Sequence, residues 1–140
     1  MRLILDTSVL IAGLLKDSTV RRLLLDPALQ LCLPEHALEE VHRHAPLMRR
    51  RARLSPHAFD LLVVLLTAQV EVIPAATVRP WLSKAHRLLG ARDPDDVPFL
   101  AAAYAVPCDG LWSDDADFQV VHDVPIWTTS RLLKHLGFAS

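Results

Sequence analysis

Four carboxylates from distant stretches of this 140-residue chain, Asp6, Glu40, Asp96 and Asp115, with a fifth at Asp117, carry the chemistry of a hard-cation site. Carboxylates held a few ångströms apart repel, and each raises its neighbours' pKa. A divalent cation removes that cost. Donors that are all oxygen, with no His or Cys among them, select Mg²⁺ or Mn²⁺ rather than Zn²⁺. One or two such ions can hold a phosphate, activate a bound water to attack it and stabilise the leaving oxygen. Each acid also has a plain structural use. Asp6 can be a turn residue or a helix cap, Asp93 and Asp95 can be charges at a helix start, and 113–117 can be a solvated loop. The conjunction favours chemistry.

The elements that must position these acids alternate between strand and helix. Residues 2–6 read as a buried parallel strand, apolar without alternation and ending on Asp6. A short helix is expected over 9–15, and a second over 19–25, capped by Ser18 or Asp17 and stopped by Asp26-Pro27. A strand at 29–33 precedes a helix at 35–44 that holds Glu40 and that Pro46 should end. Residues 45–55 fit helix or loop. Ser55-Pro56 is an N-cap and first-turn pair for a helix to about Ala68, and a third strand follows at 70–73. Pro80 opens a helix that Gly90 can close, and Asp93-Pro94 opens the next, with Asp96 in its first turn. A fourth strand at 110–113 runs straight into Asp114, Asp115 and Asp117; a fifth at 125–128 and a helix at 131–136, closed by Gly137, complete the chain. This alternation predicts a three-layer α/β/α sandwich in one domain over 1–140, with a mostly parallel sheet of about five strands. In such sheets function gathers at the carboxyl ends of the strands, where the acids would meet.

Composition is that of a globular protein, 51% hydrophobic and 22% charged, with a net charge of −1. Asp6 interrupts the apolar N-terminus too early for a signal peptide, and the longest apolar run, Leu61 to Leu66, is far short of the about 20 residues that span a bilayer, so a soluble cytoplasmic protein is expected. Cys32 and Cys108 form no metal or disulfide pattern and read as buried free thiols. Charge is segregated. Asp93 to Asp123 holds eight aspartates and no Lys or Arg, whereas Val41 to Phe59 holds five arginines and no acid. Arg49, Arg50, Arg51 and Arg53 could neutralise phosphates, or simply form a solvated face. His42 and His44, two apart on a helix, diverge too far to share a metal, and the seven histidines read as surface or structural. Trp81, Trp112 and Trp127 are expected in the core or an interface rather than as base-stacking platforms.

In this arrangement the sequence resembles the PIN (PilT N-terminus) domain family of VapC-like ribonucleases. Leu5-Asp6-Thr7-Ser8-Val9-Leu10 is similar to the family's first motif, and Leu38-Glu-Glu-Val41 to its helix acid, assigned to Glu40 in preference to Glu39 because Val41 follows. Asp93-Pro-Asp-Asp96-Val-Pro-Phe-Leu100 resembles the third motif and Trp112-Ser-Asp-Asp-Ala-Asp-Phe118 the fourth, with Ser113 where many members carry Thr. Val124-Pro-Ile-Trp-Thr-Thr-Ser130 is similar to the last strand. The resemblance covers nearly the whole chain. It implies Mg²⁺- or Mn²⁺-dependent cleavage of RNA, with Asp6, Glu40, Asp96 and Asp115 catalytic, Asp117 joining them at the metal, and Thr7 and Ser113 supporting the carboxylates. It also implies a toxin paired with a small antitoxin, and a homodimer. The alternative is a PIN-fold module that binds RNA or protein without cutting. Two other Asp-rich folds are disfavoured. A haloacid-dehalogenase-type phosphatase needs Asp where Ser8 stands, and a phosphorylated receiver domain needs a strand-ending Lys, which none of Lys16, Lys84 and Lys134 supplies.

Overall fold

The computed structural model describes residues 1–15 and 18–138. Five strands, β1 (Arg2–Leu5), β2 (Gln30–Pro34), β3 (Val70–Ile73), β4 (Gly110–Trp112) and β5 (Ile126–Trp127), form one sheet in the order β3-β2-β1-β4-β5. Every neighbouring pair is parallel. Parallel neighbours need crossovers, which helices supply: α1 (Thr7–Leu15) and α2 (Ser18–Leu24) after β1, α3 (Glu35–Arg51) and α4 (Pro56–Ala68) after β2, α5 (Ala75–Val78), α6 (Leu82–Leu89) and α7 (Val97–Ala105) after β3, and α8 (Thr129–His135) after β5. The result is the three-layer α/β fold that the alternation predicts.

Burial explains strand composition. The middle strands are apolar because both faces are covered: Leu3, Ile4 and Leu5 of β1 and Leu111 and Trp112 of β4 have no exposed surface. The edge strand β3 keeps Glu71 and Val72 in solvent. The chain runs outward from β1 through β2 to β3, then returns to the other side of β1 for β4 and β5. The order therefore reverses between β1 and β4, which opens a crevice beyond their carboxyl ends.

Three local expectations are corrected. Pro46 does not end α3, which runs on to Arg51. A proline inside a helix loses one hydrogen bond and crowds the preceding turn. Here the far half is held by burial of Met48, on the same face as Ala37 and Val41, by packing on α4 and by an Arg49–Asp60 ion pair at 3.5 Å. The segment opened by Pro80 starts earlier, as α5 followed by a 3-10 turn over Arg79–Trp81, before α6. Gly90 caps α6 with right-handed φ −60°, so its role is space, because a Cβ there would run into the His86 ring. Ser55 caps α4 as expected, accepting from the Ala58 amide at 3.2 Å, and both cysteines are free thiols, Cys32 buried and Cys108 half-buried. Ser18 is already the first residue of α2, and Asp17 lies outside the described residues. No helix among them is long and apolar enough to cross a membrane.

Gly110 is the backbone position where β4 and the chain entering β5 approach most tightly. It opens β4 with φ +138°, and an added Cβ would meet the Pro125 carbonyl oxygen. Gly137 also has positive φ, +82°, but faces open space. Gly110→Ala is therefore expected to destabilise the fold by about 3 kcal/mol, combining strain with a backbone clash, and Gly137→Ala by only about 1 kcal/mol. Urea midpoints of the two variants test this, and equal losses would contradict it.

Candidate active site

The register of β1 on β4 places Leu5 opposite Trp112, so Asp6 and Ser113 leave the sheet side by side. The Asp6 amide donates to the Trp112 carbonyl at 3.0 Å, extending the ladder by one step. Asp6 is 4% exposed, and its carboxylate is pinned from both sides. Oδ2 accepts from the Ser113 hydroxyl at 2.7 Å and the Ser8 hydroxyl at 2.9 Å, while Oδ1 accepts from the Ser8 amide at 3.3 Å. Ser113 therefore touches Asp6 directly. Thr7 does not touch Asp6: its buried Oγ1 has no partner among the described residues, and Ser8, next along the chain, does the work instead.

Beyond β4 the chain is clamped twice. Ser113 Oγ accepts from the Asp115 amide at 3.0 Å, and Asp115 Oδ1 from the Asp117 amide at 2.9 Å. On the other side Asp114 accepts from the amide and the hydroxyl of Thr129, at 2.7 and 2.6 Å, and Thr129 Oγ1 accepts from Trp112 Nε1 at 3.1 Å. The loop is thus fixed to the buried Trp112 and to the start of α8, and is not a free solvated stretch.

This loop brings Asp115 and Asp117 to Asp93 and Asp96, so that one carboxylate oxygen from each lies within 4.8 Å of the others. Asp93 caps the 3-10 turn Pro94–Asp96 by accepting from the Asp95 amide at 2.9 Å. Asp96, at the foot of α7, is 6% exposed, and its buried Oδ2 has no partner. Burial first, then Asp93, Asp6, Asp115 and Asp117, push its carboxyl up to about 7 from an ordinary 3.8. The start of α7 favours an anion by about 1 kcal/mol at most, worth less than one pKa unit, so burial and repulsion win. The cation recorded at the cluster is Arg92, whose Nη1 is 3.9 Å from Asp117 Oδ1. A carboxylate with one orphaned oxygen, grouped with three more acids in an all-oxygen donor set, fits a hard divalent cation such as Mg²⁺ or Mn²⁺.

The structure thus gathers Asp96, Asp115 and Asp117, with Asp6 behind them through Ser113. Asp93 is a member that the sequence reading treated as a helix-start charge; its signal was the spacing Asp93-Pro-Asp-Asp96 at the head of a helix. Glu40 stands apart from this quartet. It is half-buried, with Oε1 3.1 Å from His36 Nε2, and lines a groove with Thr7, His44 and Arg51. Glu39 is exposed elsewhere on α3, so Glu40 is the acid that faces the Thr7 side. In the arginine run, Arg51 shares that groove, while Arg49 and Arg50 line a separate hollow with Pro46, Leu54 and Pro56. Of the tryptophans, Trp112 is core, Trp127 packs under Arg131 at 4.2 Å, and Trp81 is 38% exposed.

Comparison with known proteins agrees with this picture. None of the curated proteins matches the chain in sequence. Among solved structures, the chain is similar to one in the crystal structure of VapBC2 from Rickettsia felis bound to a DNA fragment from their promoter. The TM-score is 0.68 and the identity 12%, over 91% of this chain and 98% of that one. At that identity the likeness is one of fold. The family profile described as PIN domain matches residues 4–137, nearly the whole length, a span that holds Asp6, Glu40, Asp93, Asp96, Asp115 and Asp117. The chain belongs to the PIN domain family.

Proposed function

We propose that this chain, as a single PIN domain over residues 1–140, is an endoribonuclease dependent on Mg²⁺ or Mn²⁺ that hydrolyses RNA phosphodiester bonds in the cytoplasm. The observation that carries the reading is the buried, unpartnered Asp96 carboxylate facing Asp93, Asp115 and Asp117 at the reversal point of the sheet. Asp96, Asp115 and Asp117 would hold the ion, with Asp93 beside them and Asp6 closing the site from β1. A bound ion there neutralises the carboxylates, polarises the phosphoryl group and acidifies water. Ser8 and Ser113 keep Asp6 aimed, because both donate to its carboxylate. Asp114 holds the Asp115 loop against α8. Glu40, outside the quartet and beside His36, is the acid available to orient a water or take its proton.

The fold neighbour was solved as VapBC2 on promoter DNA, which supports an antitoxin partner for this chain as part of the proposal. The exposed apolar face of α4, with Leu61, Val64 and Leu65, supports a homodimer. Light scattering is expected to give twice the chain mass, and Val64→Asp to reduce it to one.

Labelled RNA is expected to be cut by the protein in Mn²⁺ or Mg²⁺ and not in EDTA. Asp6→Asn and Asp96→Asn should each lower the rate by at least about 100-fold without unfolding the protein. RNA binding without any cutting would replace this reading by that of a silent PIN-fold module.

Asp96 also gives a pH signature. The folded state holds its proton up to about pH 7, against about 3.8 for an ordinary aspartate, so this group favours folding below the lower value and that contribution is lost as pH rises to the upper one. Without metal, Asp96→Asn should therefore melt higher than the parent at pH 8, with the gap closing as pH falls towards 4. Mn²⁺ should raise the parent's Tm at pH 8 and leave the variant's unmoved. A gap independent of pH would refute the buried, repelled carboxylate.

A further inference from the structure

A second cationic stretch lies in the chain, and it leads directly into the acidic motif. From Pro74 to Arg92 there are four basic residues, Arg79, Lys84, Arg87 and Arg92, and no Asp or Glu. Two of the four are engaged. Lys84 sits over the Tyr104 ring at 4.1 Å and 3.8 Å from Asp123, and Arg92 leans on Asp117. Arg79 and Arg87 are exposed and have no carboxylate partner among the described residues.

Each of these arginines lines a hollow, and the two hollows share Leu82 and Pro98. Between α6 and the start of α7 is a hollow of about 550 Å³, lined by Leu82, Val97 and Pro98 with Ser83, His86 and Arg87. Pro94 completes it, and Pro94 belongs to the turn that carries Asp93 and Asp96 into the quartet. Leu82 and Pro98 also wall a second hollow of about 220 Å³, which holds Arg79 and Val78 and ends at His36. His36 is the residue beside Glu40. Two hollows with a common wall at Leu82 and Pro98 therefore line the surface from the flank of the quartet to the flank of Glu40. The acid in their lining, Glu35, already accepts from the Ala75 amide at 3.2 Å.

We propose that single-stranded RNA reaches the acidic site along these hollows over α5 and α6, with Arg79 and Arg87 holding phosphates and the hollow at Leu82, Val97 and Pro98 taking a base. Phosphates need cations that are not already paired, and these two have no carboxylate partner among the described residues. Eight residues of 3-10 turn and helix separate them, a rise of roughly 12 Å, which spaces them over more than one nucleotide. The larger hollow is within the range of small-ligand pockets, and its apolar wall offers a face for a base without demanding one sequence. The hollow of Arg49 and Arg50 shares no lining residue with these two, so those arginines are not on the path. The proposal rests on the nuclease reading for the identity of the ligand.

The test uses fluorescein-labelled single-stranded RNA and anisotropy, in an Asp6→Asn background so that nothing is cut. Arg79→Ala with Arg87→Ala should weaken binding by at least about 10-fold and flatten the log–log salt dependence by about 1.4, two single-strand phosphate contacts. Ser83→Glu, which adds a carboxylate to the larger hollow at an exposed position, should also weaken it. Arg49→Ala with Arg50→Ala and Arg53→Ala should change it less than about 3-fold. Photo-crosslinks from 4-thiouridine RNA should fall within residues 79–98. Unchanged RNA affinity in the Arg79/Arg87 variant, or crosslinks confined to 49–56, would overturn the path. Failure of the nuclease reading looks different: binding that depends on Arg79 and Arg87 without any Mn²⁺-dependent cutting keeps the path and removes the catalysis. Cutting with unchanged KM in the Arg79/Arg87 variant removes the path and keeps the catalysis.

Discussion

The pairing of β1 with β4 is the constraint on which the site depends. Its register puts Asp6 level with Ser113, and a shift of one residue would turn both away. Everything polar at the crevice is then referred to that pair. Ser113 reaches back to Asp6 and forward to the Asp115 amide, so a single hydroxyl couples an acid at residue 6 to one at residue 115. The buried apolar faces of both strands hold the register, which is why a polar cluster can sit at their ends without loosening the sheet.

The same crevice is where local stability is given up. A buried carboxylate with no hydrogen-bond partner costs free energy, and four acids within reach of one another add to it. The surrounding contacts are arranged to hold the acids in place and leave that repulsion standing. Amides of Asp95 and Asp117 satisfy Asp93 and Asp115, and two serines satisfy Asp6, but Asp96 is left short. Strain of this kind at a rigidly supported position is characteristic of functional sites, which keep what folding alone would remove.

Much of this was legible in the chain, and the misses have physical causes. The five strands, their parallel arrangement and the α/β layering follow from apolar runs separated by capped helices, because burial on both faces writes itself into composition. Asp6, Asp96, Asp115 and Asp117 stood out because they end strands or open a helix. Asp93 did not, since an N-capping aspartate looks the same whether or not it also faces a site. Ser8 in place of Thr7 depends on which way the first turn of α1 rotates, and sequence does not encode that rotation by itself. Pro46 misled because its local penalty is real, yet the tertiary burial of Met48 outweighs it. Arg79 and Arg87 were overlooked beside the denser arginine run, although Arg87 shares a hollow with Pro94 of the turn that carries Asp96.

The strand order also has a consequence in time. β1 is the first element in chain order, and β2 is the first of its neighbours to follow it; its other neighbour, β4, begins 105 residues after Leu5, at Gly110. Closing so long a loop is a late and entropically expensive step, and the acids of the 113–117 loop arrive with it. A chain stopped short of residue 110 lacks β4, the partner that sets Asp6 beside Ser113, and half of the carboxylate quartet. On the proposed reading, an incomplete copy of this protein is harmless to the RNA around it, including the message from which it is being made.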